Sequence, residues 1–266
     1  MDYQDIIYQK KDGVAVLTFN RPEAMNAGTI RSYGEMGTAV NDAAADGDVR
    51  VLVITGSGKA FHAGDDVKQI FLGQDQHERE VEWRARRVRG MITSPLPPLL
   101  AFPKPIVAAV NGAAVGEGME IALCCDIRIA SENARFAELF VRRGLEPDFA
   151  GFYLLWRVVG LGRAYEIALT GDFVDAAQAE RIGLVNKVVP PERLMDEALA
   201  MAERLKKGAP LSQIAIKRGI AKSFSTESRA MAEFLDSIEA VLYQTEDHIE
   251  GARSFVERRE PEFKGR

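Results

Sequence analysis

The hydrophobic positions of this chain form short runs in the first two thirds and helical stripes near the C-terminus. Val14–Phe19, Val49–Thr55 and Ile106–Val110 are short runs rich in apolar and β-branched residues. Such runs are typical of strands, and the wholly apolar Ile106–Val110 indicates a strand buried on both faces. From Pro191 onward apolar residues recur every three or four positions, which is typical of helices. One such stripe consists of Leu194, Ala198, Met201 and Leu205.

The segments between these runs are less regular. Residues 24–45 indicate a helix, although three glycines weaken it. The charge-dense segment Gln74–Gly90 indicates a solvated helix or a mobile flap, because acidic residues interleave its basic ones. Five prolines between positions 95 and 105 argue against regular helix there. The chain is therefore predicted to be an α/β core to about residue 190, followed by a helical part.

Two glycine turns each follow a strand and lead into a helix. Phe61–Asp66 precedes a helix from about Val67, and Gly116–Gly118 precedes a helix over Met119–Cys125. The first N–H groups of a helix lack internal partners, and glycine lets another group approach the backbone closely. We expect the two turns to present N–H groups to an anion, or to an oxygen becoming one. Glu120 either serves chemistry at this point or caps the helix start.

Composition excludes several classes of protein. With 266 residues, a net charge of −5 and a pI near 5.5, the chain is not expected to bind nucleic acid. It has neither an apolar run of membrane-spanning length nor a secretory signal, so we expect a cytoplasmic protein without membrane attachment. Cys124 and Cys125 lack further ligands at metal-binding spacing and are expected to be buried free thiols.

Several segments resemble the crotonase superfamily, the enoyl-CoA hydratases and isomerases. FHAGDDVKQI (61–70) is similar to the first oxyanion-hole loop of that family, and KPIVAAVNGAAVGEGMEIALCCDIRIA (104–130) to the second. NRPEAMNA (20–27) resembles its early CoA-contacting segment, while LTGDFVDAAQAERIGLVNKVV (169–189) and SFVERREPEFK (254–264) match later ones. The resemblance covers nearly the whole chain.

This resemblance implies a fold and an assembly. The fold is an α/β crotonase-like spiral of repeated ββα units, formed by residues 1–190, with the acyl-CoA site inside it. Residues 191–266 would then form the helical region through which trimers, often paired into hexamers, assemble.

The resemblance also implies a site for an acyl-CoA thioester, in which coenzyme A is part of the substrate and neither a separate cofactor nor a metal is needed. The oxyanion hole would consist of the backbone N–H groups of Asp65 and Glu117, and would stabilise an enolate. Many family members have glycine at the position of Glu117. The residues implied to bind CoA or the acyl group, the last two from this chain or a neighbouring subunit, are Glu23, Ala24, Ala63, Asp66, Val67, Lys68, Phe140, Phe263 and Lys264. Family position puts His62 beside the CoA path, where packing or local hydrogen bonding is the preferred interpretation.

The implied catalytic carboxylates are Glu120 and Asp148. Hydratases of the family use two glutamates, and Glu120 matches the first, but Phe140 stands at the second. Asp148 resembles the aspartate that follows the proline in isomerase-type members, although it is also suited to cap a helix from Phe149. Double-bond isomerisation is the preferred hypothesis. Hydration of a 2-enoyl-CoA and weakly active acyl-CoA binding are the alternatives.

Overall fold

The computed structural model describes residues 2–70, 72 and 96–266, so the charge-dense segment Gln74–Gly90 lies outside the described residues. The strands are β1 (Ile6–Lys11), β2 (Val14–Phe19), β3 (Val51–Gly56), β4 (Ala60–His62), β5 (Ile106–Val110), β6 (Ala113–Val115), β7 (Ile127–Ser131), β8 (Arg135–Ala137), β9 (Val174–Asp175) and β10 (Lys187–Val189). The helices are α1 (Ile30–Ala45), α2 (Val67–Ile70), α3 (Leu96–Leu100), α4 (Glu117–Cys124), α5 (Phe149–Tyr153), α6 (Leu155–Val159), α7 (Leu161–Thr170), α8 (Ala176–Arg181), α9 (Leu194–Lys206), α10 (Pro210–Ser223), α11 (Ser228–Leu242) and α12 (Glu246–Glu257).

The strands form two sheets, and the chain alternates between them. The larger sheet has the order β1-β2-β3-β5-β7-β10 and is parallel except for the hairpin β1–β2. The smaller sheet has the order β4-β6-β8-β9. The units β3-β4-α2 and β5-β6-α4 each place one strand in the larger sheet, the next in the smaller sheet and then a helix. This succession is the repeated ββα unit that the sequence predicts.

Both faces of the larger sheet are covered. Every residue of Ile106–Val110 is fully buried, with alternate side chains entering two separate apolar clusters. Ile106 and Ala108 belong to the main core, whereas Val107 and Ala109 pack in the cluster that contains Ala198 of α9. The predicted burial of this strand on both faces is confirmed. It is α9 that closes the second face.

The helix predicted over residues 24–45 begins later, at Ile30. Met25 and Asn26 adopt left-handed conformations, with φ of 55° and 57°, and such residues do not continue a right-handed helix. The Thr29 side chain then accepts a hydrogen bond from Ser32 N in a reciprocal capping box, which defines the helix start.

The expectation that prolines exclude helix before β5 is wrong for Leu96–Leu100. This short helix contains Pro97 and Pro98 in its first turn. Proline is tolerated there because N–H groups of the first turn have no intrahelical partner to lose.

Cys124 and Cys125 are buried free thiols, as expected. Among residues 2–70, 72 and 96–266, no group of three or more His, Cys, Asp or Glu is arranged to hold a metal ion. No helix within these ranges combines the length and the apolar character needed to cross a membrane.

Candidate active site

The two glycine turns of the sequence lie in contact. Gly64 has a φ of +85°, and a Cβ added to it would lie 2.9 Å from the carbonyl oxygen of Val115. The same hypothetical atom would lie 3.9 Å from Glu117 N. Only a residue without a side chain permits this approach, so glycine at position 64 sets the spacing between the turns.

The two predicted oxyanion-hole donors belong to these turns. Gly28 N donates to Gly64 O, and Asp66 N donates to Gly28 O, both at 2.8 Å. The N–H of Asp65 lies between these two hydrogen bonds and takes part in neither of them. Glu117 is the first residue of α4, and the first N–H groups of a helix have no partner within it. The structure therefore brings both N–H groups into adjacent turns.

His62 supports the first turn from behind. Its buried ring stacks on Tyr33 at 5.8 Å between centroids and meets the edge of Phe19 at 4.8 Å. Its Nδ1 accepts a hydrogen bond from Gly64 N at 3.2 Å. Burial lowers the pKa of His62 to about 3, so the imidazole is neutral and can accept this bond. The packing and hydrogen-bonding interpretation of His62 is confirmed.

An open cavity lies between these turns and the 3₁₀ turn Leu139–Arg143. Its lining includes Ala63, Asp65, Val67, Gly116, Glu117, Leu139, Phe140, Arg143 and Leu145. Three of the predicted substrate-binding residues, Ala63, Val67 and Phe140, are thus at the cavity. Glu120 and Asp148 are not among the lining residues, whereas Glu117 is.

Glu120 lies under the N-terminus of α5. Its fully buried carboxylate accepts hydrogen bonds from Asp148 N at 2.7 Å and from Ala150 N at 3.2 Å. Burial raises the pKa of Glu120 to about 8, and the charge of Asp148 adds to this, while the backbone N–H groups oppose it. Gly151 leaves room beside it, because an added Cβ would lie 2.5 Å from Cβ of Pro147 and 2.9 Å from Oε1 of Glu120. The expectation that Glu120 caps the start of its own helix is therefore wrong, because its carboxylate binds the N–H groups at the start of α5 instead.

Asp148 occupies the N-cap position of α5, but its side chain makes no capping hydrogen bond. The side chain instead hydrogen-bonds the carboxyl group of Glu117. The capping alternative for Asp148 is therefore wrong for its side chain, because Glu120 satisfies the helix N–H groups that Asp148 was expected to bind.

Glu117 is the residue of this site whose side chain the sequence analysis missed. It is 5% exposed, and its Oε1 has no hydrogen-bond partner among the described residues. Burial raises the pKa of Glu117 to about 10, helped by the charges of Glu120, Asp148 and Asp65. The side chain is therefore neutral near pH 7 and adds no negative charge beside the oxyanion hole. The sequence did contain a signal for this side chain, namely a glutamate at a position where the family often has glycine.

Two further carboxyl groups complete the cluster. Glu138 is fully buried, with neither oxygen hydrogen-bonded within the described chain, and burial raises its pKa well above the ordinary value. Asp65 accepts a hydrogen bond from Tyr33 Oη at 2.5 Å, and burial raises its pKa as well. Asp65, Glu117, Glu120, Glu138 and Asp148 therefore form a carboxyl cluster around the two turns.

The segment NRPEAMNA contacts the first turn. Arg21 Nη2 lies 3.2 Å from Oδ2 of Asp66, and both side chains are mostly buried. Ala63 N donates to Met25 O at 3.2 Å, which joins the turn to the residue after Ala24. Of the other predicted CoA contacts, Glu23 and Lys68 have exposed side chains on this surface.

Phe263 and Lys264 do not line the cavity of their own chain. The Phe263 ring packs on Gly251 of α12, and Lys264 N donates to Oδ1 of Asp247 at 2.6 Å. These contacts hold both residues against α12 of their own chain.

Comparison with known proteins agrees with this geometry. A sequence model of the enoyl-CoA hydratase/isomerase family matches residues 9–266. The chain is 39% identical to crotonyl-CoA hydratase of Syntrophomonas wolfei, over 99% of both chains. It is 35% identical to trans-2-decenoyl-[acyl-carrier-protein] isomerase of Streptococcus mutans, over the full length of both. A crystal structure of enoyl-CoA hydratase from Bacillus anthracis superposes with a TM-score of 0.90 at 29% identity, covering 99% of this chain and all of the other.

Sequence, fold and site thus define an enzyme of the crotonase type that acts on acyl-CoA thioesters. The chain belongs to the enoyl-CoA hydratase/isomerase family.

The carboxyl cluster should make stability fall as pH rises. Glu117, with a pKa near 10 against an ordinary 4.5, keeps its proton in the folded chain and loses it on unfolding above about pH 5. A carboxyl group whose pKa is raised in the folded state lowers the unfolding free energy as pH rises, by up to about 1.4 kcal/mol per pH unit between the two pKa values. Glu117→Gln should make this slope shallower between pH 5 and 8, as measured by urea denaturation, while the raised pKa values of Glu120, Glu138 and Asp65 keep part of it. The exposed Glu132→Gln serves as control, and an unchanged slope in Glu117→Gln would contradict the assignment.

Proposed function

We propose that the protein moves the double bond of an enoyl-CoA thioester. A proton leaves C2 of a 3-enoyl group and one is returned at C4, with a dienolate between the two steps. The N–H groups of Asp65 and Glu117 donate to the thioester oxygen as it becomes negative. By comparison with other oxyanion holes each such donor is worth about 3–4 kcal/mol in the transition state.

The observation that supports isomerisation is the presence of both Phe140 and Asp148, where a hydratase of the family would have a second glutamate and no aspartate. Phe140 lines the cavity where a hydratase of the family has its second glutamate, and a phenyl ring neither deprotonates nor hydrogen-bonds a water molecule. Asp148 is exposed, its side chain does not cap α5, and its charge is coupled to Glu117 and Glu120. A carboxylate in this position suits transfer of a proton between substrate carbons.

Glu120 belongs to the same machinery in this proposal. Its carboxylate fixes the backbone of Asp148, and its pKa near 8 lets it gain or lose a proton close to neutral pH. Coenzyme A is part of the substrate, and no further cofactor is proposed.

Hydration of a 2-enoyl-CoA is the second candidate. The favouring observation is the relationship to proteins named crotonyl-CoA hydratase and short-chain-enoyl-CoA hydratase, at 39% and 38% identity. Glu120, the first of the paired glutamates, is present for this reaction.

Product analysis separates the two reactions. Wild type should convert a 3-enoyl-CoA to its 2-enoyl isomer without a change in mass, whereas hydration adds one water. Asp148→Asn should abolish the isomerisation, because an amide does not take up the proton. Phe140→Glu should raise hydration relative to isomerisation. Rapid hydration by wild type together with an unaffected Asp148→Asn variant would establish the hydratase instead.

Replacing Glu120 tests its place in the machinery. Glu120→Gln keeps the shape but directs an amide NH₂ at one of the two backbone donors and removes the titrating group. The turnover number should fall by about 10²–10⁴, the usual contribution of general acid–base catalysis, with nearly unchanged CoA-ester binding. Steady-state kinetics beside Glu132→Gln measures this, and wild-type turnover in Glu120→Gln would reduce the residue to a helix cap.

We further propose that three chains, or six, assemble through the C-terminal helices. No residue of α11 is buried within its own chain, although Leu235 and Val241 lie on it. Phe255 and Val256 of α12 are 85% and 80% exposed. Large apolar side chains exposed on neighbouring helices favour contact with another subunit.

Light scattering at micromolar concentration should therefore report a trimer or hexamer. Leu235→Glu should lower the mass, because it puts a charge into the apolar contact, whereas Ile7→Glu on the exposed side of β1 should not. A monomeric wild type would refute the assembly.

A further inference from the structure

Glu117 has three properties that neither the oxyanion-hole role of its backbone nor helix formation explains. Glu117 is one of the residues that line the cavity, it is only 5% exposed, and its carboxyl group hydrogen-bonds the Asp148 side chain. Two carboxyl groups hydrogen-bond each other only when one of them holds a proton. The pair therefore contains one proton and one negative charge.

The surroundings locate that proton. Around Glu117 stand the carboxyl groups of Asp65 and Glu120 and the hydroxyl of Tyr33, and burial raises the pKa of Glu117 to about 10. The one cationic side chain among the lining residues of the described cavity is Arg143, which is exposed. Asp148 is the more exposed member of the pair, so water stabilises its charge. The proton accordingly lies on Glu117 and the charge on Asp148.

We propose that Glu117 and Asp148 act together as a proton-sharing carboxyl pair, in which Glu117 is the acid that returns a proton to the substrate. The catalytic part of this assignment rests on the isomerase function proposed above. It adds a third carboxyl group to Glu120 and Asp148. Glu117 would thus contribute its N–H to the oxyanion and its side chain to proton transfer.

The cycle balances without a further reactant. The Asp148 carboxylate takes the proton from C2, and the electrons of the C–H bond enter the dienolate. C4 then takes the proton from the Glu117 carboxyl group, which leaves Glu117 as a carboxylate. The proton on Asp148 crosses the hydrogen bond between the two side chains to Glu117, and the starting state is restored.

The charge state of Glu117 is tested without substrate. The infrared absorption of protonated carboxyl groups, recorded at pH 7 on the full chain, should lose one carboxyl equivalent in Glu117→Gln. Glu132→Gln should leave this absorption unchanged. A Glu117→Gln spectrum identical to that of wild type in this band would mean that Glu117 is ionised, which overturns the proposal.

Kinetics test the transfer. Glu117→Gln retains the backbone N–H and a side-chain donor for Asp148 but has no proton to give. Its turnover number on a 3-enoyl-CoA should fall by about 10²–10⁴, with a KM within about threefold of wild type. Glu117→Asp, which restores an acid one methylene shorter, should recover part of the loss.

Wild-type turnover in Glu117→Gln would overturn the transfer role. This outcome is separate from failure of the proposed function. If wild type isomerises no enoyl-CoA, the function fails, while the infrared measurement still decides whether Glu117 and Asp148 share one proton.

Discussion

The close contact between the two glycine turns is the constraint on which the site depends. Pairing of β4 with β6 and of β6 with β8 in the smaller sheet puts successive turns side by side. The absence of a side chain at Gly64 then allows the backbone to touch Val115. Gly118 shows the same requirement, since an added Cβ would lie 2.0 Å from His62 O. The distance between the N–H groups of Asp65 and Glu117 is thus fixed by backbone packing. Contacts with a substrate are not needed to bring the two turns together.

The ends of α4 explain how so many carboxyl groups are tolerated near one another. Glu117 and Glu120 lie in its first turn, where the helix dipole stabilises negative charge. At the other end the buried Arg128 donates to Cys125 O at 2.6 Å and to Leu184 O at 2.7 Å. A cation at the C-terminal end complements the same dipole. The Arg128 cation therefore suits the C-terminal end of this short, fully buried helix, whereas at its N-terminal end protonation relieves the repulsion among the acids.

Features set by neighbours in the sequence were predictable, and those set by distant contacts were not. The strand Ile106–Val110 and both glycine turns depend on local residue types, and the structure has them where the pattern indicates. The start of α1 depends on a capping box at Thr29 and on left-handed residues before it, which hydrophobic spacing does not reveal. The contact of Glu120 with the backbone of Asp148 joins positions 28 apart, so its capping role was assigned to the wrong helix.

Because the His62 ring stays neutral, the orientation of the first turn does not depend on how many protons the nearby acids hold. With a pKa near 3 this imidazole keeps accepting from Gly64 N throughout the range in which the surrounding carboxyl groups gain or lose protons. Acidification therefore changes how many protons the acids hold, while the hydrogen bond that orients the first turn persists. Position 62 consequently requires a flat ring with an acceptor nitrogen. The positive charge that histidine can carry does not contribute to this role.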